Sequence, residues 1–328
     1  MNAAITVVGS YATGLTMRVP RLPSSGETVL GTGYRVDFGG KGSNQAVGCA
    51  RLGAQVNYVA KIGNDQFGEM ALNLYRQEGI DLHYLRRTDE APTGVGFILV
   101  EENSGHNCIA IDPGANDQLS PKDILDCDAA FHNTAVVLTQ LEIPTATVEA
   151  ALRRGREHGA VTILNPAPVR PLSPAALDLV DILTPNLVEA RVLAGYAPDA
   201  VIEPQEVARL LLDKGIKQIV MTLGEQGAMI ITQSAITVVP AIQVTAVDTT
   251  GAGDAFNAGL ATALVLGANL EEAVGMAIGC GGLAVTRHAV IPSLPNREEI
   301  LRVYHEQGWP VPSWFAGKLK TVGTKMTR

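Results

Sequence analysis

The chain has 328 residues, 46% of them hydrophobic and 18% charged, which supplies a substantial core and excludes intrinsic disorder. Its 25 Lys and Arg are outnumbered by 33 Asp and Glu, and no basic run interrupts that acidity, so nucleic acid is not an expected partner. No apolar stretch approaches the roughly 20 residues of a membrane-spanning helix, so no membrane contact is expected. The opening MNAAITVVGS lacks the basic start of a signal peptide. Cys49, Cys108, Cys127 and Cys280 are scattered with no CxxC pair, which argues against a zinc site or a disulfide framework. A soluble, cytoplasmic α/β protein is expected.

In chain order, Ile5–Val8 reads as a buried strand ending in a turn at Gly9-Ser10. Residues 11–37 are punctuated by Pro20, Pro23, Gly26, Gly31 and Gly33. Short extended pieces between them, such as Glu27–Leu30, predict hairpin strands outside the main sheet. A helix is predicted from Ser43 to Leu52, a strand over Val56–Ala60, and an amphipathic helix over 66–78 closed by Gly79. A second β-rich stretch covers Gly94–Val100 and Cys108–Ile111. From about residue 135, apolar runs at Ala135–Leu138, Val161–Leu164, Asp181–Leu183 and Gln218–Thr222 alternate with helical segments, which predicts a parallel sheet covered on both faces. Ala228–Ile231 and Ile236–Val239 read as an antiparallel hairpin, Ile242–Val247 as a further β-like run, and 252–266, 270–286 and 296–306 as helices. The segment 308–328 carries Trp309, Trp314 and Phe315 among prolines and lysines.

Two segments carry the chemistry. Asp248-Thr249-Thr250-Gly251-Ala252-Gly253-Asp254 opens a long Ala-rich helix. Its small residues leave backbone N–H groups facing outward at a helix N-terminus, where the macrodipole favours an anion. Asp254 at the same place suits proton removal from an attacking hydroxyl during phosphoryl transfer. As a bare pattern, Asp254 could equally be an ordinary first-turn acid. The second segment, Asp37-Phe38-Gly39-Gly40-Lys41-Gly42-Ser43-Asn44-Gln45, is no Walker A motif, because Gly42 follows Lys41 where Ser or Thr would hold magnesium. Its glycines with Lys41 and Asn44 suit close hydrogen bonding to a polyhydroxylated ligand, although glycine clusters are usually simple turns.

Together these segments resemble the ribokinase-like (PfkB) carbohydrate kinase family, most closely its ribokinase branch. GGKGSNQAVGCARLG at 39–53 and DTTGAGDAFNAG at 248–259 carry the resemblance, and matching pieces at 63–68, 140–142, 165–168, 184–189 and 222–227 extend it over residues 4–306. It implies a three-layer α/β/α domain over 1–307 around a mostly parallel sheet, with a small β-sheet lid from about 11–37 and 94–111 and a tail at 308–328. The implied activity is transfer of the γ-phosphoryl group of ATP to a sugar. The resemblance makes Asp254 the base, Gly251, Ala252 and Gly253 the anion hole, and Gly40, Lys41, Asn44 and Glu142 the sugar ligands. Asn165, Asn186, Thr222, Gly224 and Gly227 become nucleotide contacts, and Glu189, with Asn186, an organiser of Mg²⁺ through water. Asp248, Thr250, Arg287, Ala289 and Ser293 fall at the family's monovalent-cation loop, where K⁺ is implied and where Ala289 stands for a usual Gly. A homodimer through the lid is implied as well.

Bland readings stand beside several of these roles. Asn186 and Glu189 also fit a capping box, Lys41 a solvated charge, Glu142 a helix-start acid, and Gly224 and Gly227 turn glycines. One departure bears on the substrate. The ribokinase branch carries N-x-D after the first strand, with the Asp on sugar hydroxyls; here Ala12 and Gly14 stand in those places. A sugar other than ribose is therefore expected, with Tyr11 or Arg18 offering replacement contacts. Other readings are a kinase for a nucleoside or a sugar phosphate, using Arg18, Arg21 or Arg35, a silent sugar-sensing protein on the same fold, and a dinucleotide oxidoreductase.

Overall fold

The computed structural model describes residues 4–316. Its strands are, in chain order, β1 (Ala4–Val8), β2 (Ala12–Val19), β3 (Thr32–Gly39), β4 (Val56–Gly63), β5 (Leu85–Thr88), β6 (Val95–Glu101), β7 (Asn107–Asp112), β8 (Thr134–Thr139), β9 (Val161–Leu164), β10 (Ile182–Leu183), β11 (Gln218–Thr222), β12 (Ala228–Ile231) and β13 (Ile236–Val239). Nine form one sheet in the order β13-β12-β11-β10-β9-β8-β1-β4-β5, and four form a second in the order β3-β2-β6-β7. In the large sheet every pairing from β11 across to β5 is parallel, and β11–β12–β13 is antiparallel.

Parallel strands need crossover helices, and the helices cover both faces, so central strands are mostly apolar. All five residues of β1 are buried. Ile5 and Val7 join the core shared with helices Lys41–Arg51, Ala252–Val265 and Leu270–Ala284. Val8 joins the opposite core, against helices Thr145–Glu157 and Pro204–Asp213. The result is the three-layer α/β/α body that the sequence predicts.

Small residues set the spacing of the helices that carry the chemistry. A Cβ at Gly48 would lie 2.6 Å from Ala258 Cβ, and one at Gly259 would lie 2.8 Å from Cys280 Sγ. Helix Lys41–Arg51 therefore packs directly on helix Ala252–Val265.

The small sheet is the expected lid. The chain leaves β1 through Gly9-Ser10, runs out along β2 and returns along β3 into helix Lys41–Arg51. β6 lies parallel to β2 and pairs antiparallel with β7. At its base, Tyr11 and Thr13 are buried and Phe38 packs on the body. Farther out, Val36 and Phe97, on the same face as Thr13, are solvent-exposed.

Two local expectations are corrected, and one strand had no signal in the sequence. Glu27–Leu30 is not a strand: a turn captures it, with Glu27 N–H bonded to Ser24 O and the Glu27 carboxylate accepting from Ser24 N–H and from Arg21. The ladder begins only at Thr32. Ile242–Val247 joins no sheet, because β13 closes that edge and pairs with β12; Val247 N–H bonds Val285 O instead. β5, with the polar sequence LRRT, gives no apolar signal because it is an edge strand paired only with β4.

The described part of the tail docks on the body. Phe315 is fully buried, Trp309 packs edge-on to Tyr304 with ring centroids 5.7 Å apart, and the Arg297 guanidinium lies 4.7 Å above the Phe315 ring. Phe315→Ala is expected to lower the unfolding free energy by about 3–5 kcal/mol through the cavity it leaves. A urea titration measures this, and an unchanged midpoint would show that the tail carries no folding energy.

Candidate active site

Gly251 caps helix Ala252–Val265 with φ 84°, a left-handed conformation, and a Cβ there would lie 2.5 Å from Val290 Cγ1. No side chain caps this helix, so apart from Ala252 N–H, which reaches Thr249 O at 3.3 Å, its first-turn N–H groups are left for an anion. A Cβ at Gly253 would meet nothing within 4 Å, so the approach in front of these groups is clear.

Asp254 sits in that first turn, only 5% exposed. Its Oδ2 accepts from Asn44 Nδ2 at 2.8 Å and its Oδ1 from Gln45 Nε2 at 3.0 Å. Gln45 also donates to Asn165 Oδ1 at 3.2 Å and accepts from Gln140 Nε2. Asn44 Oδ1, Thr139 Oγ1 and Gln140 Oε1 are buried around this network with no partner among the described residues. Buried acceptors call for donors, and hydroxyl groups of a polyol substrate are suitable ones.

Glu142 completes the other side. It accepts from Ser10 Oγ at 2.5 Å and from the Lys41 backbone N–H at 2.8 Å. That second bond caps helix Lys41–Arg51, whose N-cap Gly40 has φ 88° and no side-chain cap of its own. Gly40 is required there, because a Cβ would lie 2.7 Å from Tyr11 Cα. The Lys41 ammonium is held above its ordinary range chiefly by the charge of Asp254, against the downward pull of burial, with Glu142 and Glu189 adding to the rise. Burial raises the Glu189 carboxyl; its hydrogen bond from Asn186 N–H and the charge of Lys41 offset part of that, and Asp254 raises it further. Lys41, Asp254, Glu142 and Glu189 are thus brought together from four separate stretches of chain.

Ser10 and Gln45 are functional residues that sequence reasoning missed. Gln45 lay inside the GGKGSNQ segment, so its position was the available signal; Ser10 gave none beyond following Gly9. Tyr11 does not meet the substrate as expected. It is fully buried, edge-on to Tyr75 and bonded to Thr13, because the backbone alternation at the start of β2 turns it into the core.

A cavity of about 560 Å³ lies beyond Gly253, within the range of small-molecule sites. Ile242 and Phe256 give it apolar walls, and Thr222, Gly224, Gly227, Ala252 and Gly253 line it, whereas Asn165 and Asn186 do not. Gly224 is open around its Cβ position, whereas Gly227 is demanded by the turn: a Cβ would lie 2.1 Å from Val239 O. Asn165 is turned inward, bonding Gln45 and Thr184 O. Asn186 lies beside Thr222 across a parallel bridge and forms a capping box with Glu189, each bonding the other's backbone N–H at 2.9 and 2.8 Å. The box engages Glu189 Oε2.

The loop ahead of the helix is organised by Asp248, which accepts from Thr250 N–H at 2.9 Å. Burial pushes the Asp248 carboxyl up, but hydrogen bonds from Thr250 and Ala289 outweigh it and hold it below its usual range. Arg287 pairs with Glu299, and Ser293 Oγ donates to Val290 O at 2.8 Å. Those side chains are engaged within the protein, so a cation here would be met by main-chain carbonyls. Ala289 has φ 64° and ψ 155°, the one non-glycine residue of positive φ among the described residues.

A buried carboxylate at an uncapped helix N-terminus thus lies beside a cavity of small-molecule size, an arrangement whose chemistry suits phosphoryl transfer. The comparisons with known proteins agree. Residues 2–297 match the pfkB family of carbohydrate kinases, and the chain belongs to that family. It is 36% identical over 301 residues to the ribokinase of Haemophilus influenzae, covering 92% of this chain and 98% of that one. It is 35% identical over 296 residues to the deoxyribokinase of Salmonella typhimurium, covering 90% and 96%. The ribokinase of Arabidopsis thaliana complexed with ribose and ATP superposes with a TM-score of 0.87 at 30% identity, covering 92% of this chain and 99% of that one.

Because the conformation at Ala289 is one that glycine adopts without a Cβ clash, such a residue costs of order 1–3 kcal/mol. Ala289→Gly is therefore expected to stabilise the protein by about that amount, less the entropy glycine adds to the unfolded chain. A lower urea midpoint in the variant would show that Ala289 is unstrained.

Proposed function

We propose that the protein transfers the γ-phosphoryl group of ATP to a hydroxyl of a free sugar, with Asp254 as general base and the backbone of Gly251, Ala252 and Gly253 as the anion hole. One observation carries this reading. The Asp254 carboxylate is buried at the helix N-terminus and aimed by two amide donors on helix Lys41–Arg51. A sugar hydroxyl placed there would give its proton to Asp254 while the first-turn N–H groups stabilise charge on the transferring group. Backbone at Gly40 and the side chains of Lys41, Asn44 and Glu142 would hold the rest of the sugar. The nucleotide would occupy the cavity lined by Thr222, Gly224 and Gly227, with Asn165 and Asn186 supporting its walls.

Glu189 suits Mg²⁺ through water. Its Oε2 is held by the capping box, which leaves the second carboxylate oxygen without a bond in that box, and Mg²⁺ is a hard cation that favours one or two carboxylates with retained waters. The loop of Asp248, Thr250, Arg287, Ala289 and Ser293 suits K⁺ held by carbonyls, beside the anion hole where a cation adds positive field. The exposed apolar face of the lid, with Val36 and Phe97, suits a second copy of the chain and hence a homodimer. The sugar-phosphate reading is less supported at Arg21, which is paired with Glu27. Among the described residues no helix is long and apolar enough to cross a membrane.

Asp254→Asn is expected to lower kcat by about 10²–10⁴-fold while calorimetric ATP binding is retained, since the amide keeps the shape but accepts no proton. Near-parental turnover in a coupled ADP-release assay would reject Asp254 as the base. Glu189→Gln is expected to raise the Mg²⁺ concentration needed for half-maximal rate with little change in sugar KM. Superimposable Mg²⁺ titrations would leave Glu189 as a helix cap alone.

A further inference from the structure

The lid face turned toward Glu142 carries a carboxylate that the reaction described so far leaves unused. Along the start of β2, Tyr11 and Thr13 point into the core, so Ser10, Ala12 and Gly14 take the opposite side. Ser10 bonds Glu142, which fixes that side as the one facing the sugar ligands. Asp37 of β3 pairs directly with Gly14, and a Cβ built on Gly14 would lie 3.8 Å from Asp37 Cβ and 3.5 Å from Ile98 Cδ1. On the other flank Gly14 pairs with Gly96 of β6. Two adjacent glycines thus make a floor without side chains, bordered by Asp37 and Ile98.

Arg35, two residues back on the same face, places its Nε 3.6 Å from Asp37 Oδ2, and the two side chains are 53% and 33% exposed. An ion pair this open to water adds little to folding, so stability does not account for a carboxylate beside a glycine floor.

We propose, resting on the sugar-kinase reading above, that Asp37 is a specificity-determining sugar ligand. Its carboxylate accepts hydrogen bonds from two adjacent hydroxyls of a sugar seated over Gly14 and Gly96, while Ile98 meets the C–H face and Lys41, Asn44 and Glu142 hold the end that reacts. With Gly14 in β2, the acceptor sits one strand over, displaced by about the 4.8 Å between neighbouring strands. The substrate is therefore one whose adjacent hydroxyls lie toward β3.

The test measures kcat and KM over a panel of pentoses, hexoses, their deoxy analogues and polyols, for the parent, Asp37→Asn, Asp37→Ala and the double variant Gly14→Asp/Asp37→Ala. A hydrogen bond to a charged group sets the expected loss: sugar KM rises about 10- to 150-fold in both single variants. The KM for ATP and the unfolding midpoint stay at parental values, and the preference for the hydroxylated sugar over its deoxy analogue collapses. The double variant, with the carboxylate moved back to β2, recovers affinity for a diol sugar while reordering the panel. Sugar KM values within twofold of the parent in both single variants would overturn the role of Asp37 and leave the sugar-kinase reading intact. A KM rise accompanied by an equal loss of stability in Asp37→Asn would also overturn it, as a structural effect. A parent that phosphorylates no sugar on the panel would overturn the sugar-kinase reading and this inference with it.

Discussion

The site depends on one buried contact, the two-point grip of Asn44 and Gln45 on the Asp254 carboxylate. It joins the first turns of two helices separated by about two hundred residues of sequence. A buried carboxylate without donors would be strongly unfavourable, so these amides both permit Asp254 to be there and fix where its oxygens point. The close approach of Gly48 to Ala258 brings the two helices near enough for that grip. Packing and site geometry are therefore one constraint: a side chain at Gly48 would separate Asp254 from the residues that aim it.

Charge is arranged around this contact with the same economy. The charges of three carboxylates, Asp254, Glu142 and Glu189, all act to raise the ammonium of Lys41. Glu142 also caps the helix that Lys41 opens, and Glu189 caps its own. Each acid thus has a structural partner that holds it in place before any ligand arrives. That is preorganisation: the charges are positioned by folding and need not be reorganised during reaction.

The division into a deep sheet and a shallow one separates stability from selectivity. The large sheet and its two helical layers bury most of the apolar residues and carry Asp254 and the 560 Å³ cavity. The lid has one layer, and its outer strands are largely exposed. Residues there can change with little effect on folding, which makes the lid the natural place for substrate choice to vary within a shared chemistry.

By itself the sequence determined the α/β class, the strand–helix order after residue 135 and the segments around Gly40–Asn44 and Gly251–Asp254. Apolar runs, helix starts and glycine turns are local signals, and these features are set locally. The apolar periodicity that predicts the helix after Gly42 is an example, missing its true start at Lys41 by two residues. Tertiary structure alone decided that Ile242–Val247 joins no sheet and that LRRT at 85–88 is an edge strand. Each of those outcomes depends on which neighbour already occupies a sheet edge, and the segment itself does not encode it. The same holds at the site. Lys41 and Glu142 read equally well as surface charges until the fold set them beside Asp254, because a charge acquires its role from the distance to other charges and from the water that folding removes. Asp37 shows this most simply: nothing in RVDFGG sets it apart, and only the register of β2 on β3 places it opposite Gly14.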